Sequence, residues 1–350
     1  MIGLRLIGIV VVCLSAAVLG AVALLGAAFA TTMPVLFIGA GLIVFAGLDL
    51  LGVQLATRRL RRRGRNRFRG WALTATLVIP ALAFALTALR PMSDPRLPPA
   101  PVAGQIWMTL PTGSKIAYVH LPAVGEPRPA PVIFLHGGPG VPDLKGDADY
   151  WGALRQDGFD VYVYDEVGSG RSSRLADPAQ YSLARDVADL DAIRRQIGAE
   201  KVTLIGFSYG GRLAAAYAAR FPGAVASLVF VSPGSLSPEV AGASLNSRLS
   251  EPQKQAVAAR TTAPRPLLVW LLLQVNPRAA KALAGDAELD ARQSTLYNLS
   301  RPALHCAAAG AGEPLYGLGF FANQFPQSWH RVTPQDDRPA LAQLHVPTLV

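Results

Sequence analysis

The chain has 350 residues, 51% of them hydrophobic, only two cysteines and a formal net charge of +10. That length admits one large domain or two ordinary ones. Residues 1–100 hold eleven arginines, no lysine and two acids and so carry +9 of the charge; the rest is close to neutral, and the basic balance gives no support to nucleic-acid binding.

Three apolar runs come first, at about 6–30, 33–56 and 71–89. At 1.5 Å per residue each can cross a hydrocarbon core of roughly 30 Å. Only Thr31 and Thr32 separate the first two, which predicts a tight helical hairpin. Eight arginines lie between Arg58 and Arg69, ahead of Trp71, an interfacial anchor. By the positive-inside rule that loop is cytoplasmic, so everything after about Arg90 is expected outside the cytoplasm. A second reading takes the first run as a cleaved signal peptide ending at Ala28-Phe29-Ala30. Asp49 lies inside the second span, where an acid is a functional suspect; the competing reading has it face a neighbouring helix or snorkel toward arginine. Residues 1–92 are thus read as a membrane anchor, with the bilayer as partner.

Residues 93–104 are proline-rich and read as a semi-extended linker. Strands are predicted at 105–110, 115–121, 131–135, 159–164, 202–205 and 228–231, with helices at 150–156 and 183–197. Short apolar strands alternating with helices imply a mostly parallel sheet covered on both faces, an α/β fold. Ligands of such sheets bind beyond the carboxyl ends of the strands. Three glycine-rich loops fall there: His136–Gly140 (HGGPG), Asp165–Ser172 (DEVGSGRS) and Gly206–Gly211 (GFSYGG).

The last of these follows a strand and opens an alanine-rich helix, the context of a nucleophile elbow. The turn is so tight that side chains at Gly206 and Gly210 would collide, and it leaves Ser208 at the tip. The helix behind it aims backbone N–H groups at negative charge growing there. Ser208 is therefore the candidate nucleophile. The competing reading is a glycine-rich turn with a solvated serine. No spacing of Cys13, Cys306 and the histidines suggests a metal site, and no cofactor is expected.

In order and spacing these three segments resemble the α/β-hydrolase superfamily, and more narrowly its proline iminopeptidase-like branch. The resemblance covers about residues 105–235. It implies Ser208 as nucleophile and an oxyanion hole made by the backbone N–H groups of Tyr209 and Gly138, with Gly137 the second choice to Gly138. His136 and Asp165 precede the elbow. They are read as loop braces, Asp165 acting through Arg171, rather than as catalytic base and acid.

The family order is Ser, then Asp or Glu, then His. Residues 344–350 look like the start of the late strand that precedes that acid, so the C-terminal part of the fold, with base and acid, is expected beyond Val350. His305, His330 and His345 are poorly placed to serve. Residues 236–343 are expected to form a helical lid. Within it, the apolar stretch 266–275 either lies buried on the core or forms a lipophilic wall against substrate or lipid. Glu313 is a weak candidate for recognising a substrate amino group. The expected function is a membrane-anchored serine hydrolase acting on a peptide N-terminus. The alternatives are an esterase or lipase working on lipid-like substrates, and a non-catalytic binding module that keeps the fold.

Overall fold

The structure, a computed structural model, describes residues 2–61, 66–92, 102–234, 236, 248–301 and 336–350. These form two compact units, one of residues 1–93 and 258–288, the other of residues 94–257 and 289–350.

In the first unit, α1 (Ile2–Ala30) and α2 (Pro34–Arg61) form the predicted hairpin. α3 (Asn66–Leu73) continues through a π-helical turn, Thr74–Val78, into α4 (Ile79–Thr87). Three segments, Ile7–Ala30, Pro34–Thr57 and Gly70–Thr87, are long and apolar enough to cross a membrane. The hairpin closes on glycine. A Cβ at Gly20 would come within 2.9 Å of Gly41 O, and one at Gly41 within 2.8 Å of Leu24 Cβ. Small residues at such crossings let helix backbones approach. Asp49 faces a neighbouring helix: it is fully buried and accepts a hydrogen bond from Thr76 Oγ1 at 2.8 Å.

α8 (Glu251–Thr262), α9 (Pro264–Val275) and α10 (Pro277–Ser300) lie in sequence between the last two strands of the sheet, and α10 is broken at Gly285. α9 packs on α1 and α4. Of the two readings of the apolar stretch 266–275, burial on the core is not what these contacts show, and an apolar surface beside the membrane-length helices stays open. Twelve mostly apolar residues fit any apolar face, and here the uncovered face of the N-terminal helices takes them.

The second unit holds a seven-stranded sheet in the order β1-β2-β4-β3-β5-β6-β7. β1 (Gln105–Thr109), β2 (Lys115–Leu121) and β4 (Val161–Tyr164) pair antiparallel in that order, and the remaining pairs are parallel. β3 (Val132–Leu135) and β5 (Val202–Phe207) are central and almost wholly buried, because helices cover both faces. The period of two shows in β3. Ile133 and Leu135 pack with α6 (Leu183–Gln196) and α7 (Tyr209–Arg220), while Val132 and Phe134 pack toward α5 (Leu144–Trp151). The helix expected at 150–156 begins earlier, at Leu144, and ends as a 3-10 turn over Gly152–Asp157. β6 (Val225–Val231) is followed in the sheet by the two-residue β7 (Thr348–Leu349), parallel to it. The linker residues 93–101 and most of the expected lid lie outside the described residues.

Candidate active site

β5 carries the chain to the carboxyl edge of the sheet, and α7 leaves it at once. Ser208, between them, has φ 51° and ψ −112°, in a region that non-glycine residues rarely enter. Backbone bonds hold it there. Ser208 N donates to Val231 O at 3.0 Å, and Ser208 O accepts from Gly211 N at 3.0 Å and Gly234 N at 2.7 Å. A Cβ at Gly206 would overlap the Gly210 carbonyl, and one at Gly210 would overlap the carbonyl of Leu135 on β3. Both glycines are therefore required by close backbone approach.

The HGGPG loop leaves the end of β3 and passes beside this tip. A Cβ built at Gly137 would stand 3.3 Å from Ser208 Cβ and 3.0 Å from Phe207 Cδ1. Gly138 has φ +126°, and a Cβ there would meet Gly140 N at 2.6 Å. The loop thus brings bare backbone to the serine, as an anion cradle needs. Phe207 remains 44% exposed and offers an apolar wall next to Ser208.

His136 sits beneath the loop, 3% exposed. Its Nε2 accepts the backbone N–H of Glu166 at 3.1 Å, so the proton resides on Nδ1, which donates to Gly137 O at 2.8 Å. Burial lowers its pKa to about 4, against the raising effect of the Gly137 bond. The ring is a neutral strut between two loops, with both nitrogens engaged.

Asp165 accepts the backbone N–H of Arg171 through Oδ2 at 2.7 Å. The expected brace to Arg171 is thus made through the main chain. Burial raises the Asp165 pKa to about 7, while the Arg171 amide and the nearby charges of Arg171 and Arg174 pull it down. Ser172 Oγ donates to Asp165 O at 2.6 Å and accepts from Ala117 N at 2.8 Å. That hydroxyl is buried and committed to structure.

Two further residues at the site escaped sequence reasoning. Glu166 Oε2 accepts from Gly140 N at 3.2 Å and so ties the second loop to the first. Tyr209 follows Ser208, and its hydroxyl donates to Asp186 Oδ2 at 2.6 Å, fixing the helix start to α6. Burial pushes the Asp186 carboxyl up, to about 8. Glu166 lies inside the DEVGSGRS segment, so its position was visible although its partner was not. Asp186 left no signal beyond being an acid on an apolar-periodic helix.

Among the described residues there are three histidines. His136 is engaged as above. His120 stacks on Tyr162 at 4.3 Å and lies 3.5 Å from Asp160, toward the strand edge opposite Ser208. His345 is exposed and precedes β7. None of the three is placed as a base for Ser208. His305, His330 and Glu313 lie outside the described residues. Among the described residues no cluster of His, Cys, Asp or Glu could hold a metal ion.

Residues 130–265 match the alpha/beta hydrolase fold family. This part of the chain has the α/β-hydrolase fold. Over 94 residues it is 38% identical to the proline iminopeptidase of Saccharolobus solfataricus, covering 26% of this chain and 29% of that protein. Over 124 residues it is 37% identical to the proline iminopeptidase of Heyndrickxia coagulans, covering 35% of this chain and 41% of that protein. This segment therefore resembles the proline iminopeptidase branch, and the match spans less than half the length of either curated relative. A crystal structure of proline iminopeptidase from Mycobacterium smegmatis is 19% identical over 69% of this chain and 80% of that one, with a TM-score of 0.39.

Proposed function

We propose that the protein is a membrane-anchored serine hydrolase that releases the N-terminal residue of small peptides through an acyl-enzyme formed on Ser208. The observation that carries this reading is the Ser208 backbone at φ 51°, at the tip of a strand–helix elbow with Gly137 against it. Local similarity to proline iminopeptidases supports a peptide substrate.

As Ser208 Oγ attacks the scissile carbonyl, its proton passes to a general base outside the described residues and the carbonyl oxygen becomes an oxyanion; that proton is then given to the leaving amine as the C–N bond breaks, and water attacking the acyl-enzyme releases the acyl group and restores the Ser208 hydroxyl. The N–H groups of Tyr209 and Gly138 donate to it, a pair worth several kcal/mol in a site closed to water. Phe207 offers an apolar face on which a prolyl ring can rest. His136, Glu166 and Asp165 hold the loops and take no proton from the serine. The arginine-rich loop supports a hydrolase lying outside the cytoplasm by the positive-inside rule.

A second reading, an ester hydrolase working at the bilayer, draws on α9, an apolar helix packed on the membrane-length helices. Turnover by the full-length protein separates the two. Prolyl arylamides are expected to be cleaved and the activity lost in Ser208→Ala. Cleavage of acyl esters alone would select the second reading, and equal turnover by Ser208→Ala would remove both.

A further inference from the structure

The helical unit contains an apolar cavity of about 300 Å³ walled by α1, α2, α4 and α9. Every residue lining it is aliphatic, aromatic, glycine or proline, among them Gly20, Leu24, Phe45, Ala81, Phe84 and Leu268. Its walls occupy residues 17–25 of α1, 38–45 of α2 and 80–88 of α4. In each helix this is the half remote from the arginine-rich loop, so the cavity lies at one depth.

Polar bonds at the ends of α9 hold this space open. Arg265 Nη1 donates to Ala88 O at 3.3 Å, near the end of α4, and Asn276 Nδ2 donates to Ala28 O at 2.8 Å, near the end of α1. Arg265 is also paired with Glu288 at 2.8 Å, so its charge is already answered. With twelve residues α9 is about 18 Å long, too short to span a bilayer, and it serves as a wall fixed at both ends. On the opposite side the close approach of Gly20 and Gly41 fixes α1 against α2.

This hollow is half open to the surroundings of the helices, and its wholly apolar lining offers water no partners and lacks dispersion contacts wherever nothing fills it. Around it the helices expose Val18, Val22, Ile43 and Leu82, as segments bathed in hydrocarbon do. The medium that fills such a space at that depth is the acyl chain.

We propose that this cavity is a binding site for one acyl chain of a bilayer phospholipid. The proposal rests on the membrane-crossing reading of α1, α2 and α4 and is independent of the hydrolase chemistry. The lipid becomes part of the packing that seats α9, which in the sequence lies between two strands of the hydrolase sheet.

The test uses the full-length protein in phosphatidylethanolamine–phosphatidylglycerol vesicles containing a phospholipid with a mid-chain diazirine. Light should label Leu24 and Leu268 inside the cavity and the outward-facing Val22. Ala81→Phe, or Ala21→Phe from the opposite wall, should cut labelling of Leu24 and Leu268 at least about fivefold by filling the space. Labelling of Val22 should not change, and Leu82→Phe, at an exposed neighbour, should leave all three labelled. Unchanged labelling of Leu24 and Leu268 in both filling variants would overturn the proposal. So would displacement of that label by a soluble decanoyl ester while Val22 stays labelled, which would assign the space to a substrate chain. Absence of label at Val22 as well would overturn the membrane reading and the proposal together.

Discussion

At Ser208 the backbone is held in a conformation that costs of order 1–3 kcal/mol, and three main-chain hydrogen bonds keep it there. Gly210→Ala drives a methyl into the Leu135 carbonyl and is expected to destabilise the protein by at least about 3 kcal/mol and to abolish hydrolysis. Gly223→Ala, where a Cβ meets nothing within 4 Å, is the control and should be near neutral in a thermal melt. His136 and Asp165 make a prediction about pH. His136 titrates at about 4 when folded and 6.5 when not, so its contribution to stability is full above pH 6.5 and is lost as pH falls toward 4. Asp165 is raised from 3.8 to about 7, so its contribution is full below pH 3.8 and is lost as pH rises toward 7. Between pH 4 and 6.5 the two oppose each other. Asp165→Asn should remove one arm, so its melting temperature should fall more steeply than the wild type's on acidification through that window. Identical profiles would contradict the assignment. The glycines and Ser208 could be read from sequence because their constraint is local and steric. The Glu166–Gly140 and Tyr209–Asp186 bonds could not, since each joins segments that only the folded sheet brings together.

Among the elements, α9 is the one whose residues were recognised and whose partner was not. Its apolar run announced burial, yet burial of leucines has no direction of its own, and periodicity cannot choose between a sheet face and a helical bundle. The π-helical turn at Thr74–Val78 was equally hidden. It sits where Thr76 reaches Asp49, a contact between helices distant in sequence. The Arg265–Glu288 pair, 3% and 5% exposed, gives α9 a measurable test. Arg265→Ala leaves a buried carboxylate without its partner and should cost about 3–5 kcal/mol. The double change Arg265→Met with Glu288→Leu should recover most of that loss in the melting temperature. If the single variant melts as the wild type does, the pair is not what seats the helix.

Over the whole molecule, the alternation of short buried strands and helices made the parallel sheet legible, because two-sided burial leaves continuous apolar runs such as Val132–Leu135. The grouping of residues 258–288 with the first ninety was not legible, because no local pattern carries it. Topology rests on the arginine loop. In a background lacking Cys13 and Cys306, Gly64→Cys should be shielded from an impermeant thiol reagent in intact cells and Pro99→Cys should react. The reverse pattern would invert the orientation. The central claim, that Ser208 is the nucleophile of a hydrolase, is tested most directly by active-site labelling. The full-length protein in its membrane is treated with a fluorophosphonate and digested, and the modified peptide is mapped by mass spectrometry. The predicted result is a single adduct on Ser208, absent in Ser208→Ala. An adduct on another serine, or none in a preparation that cleaves prolyl arylamides, would contradict it.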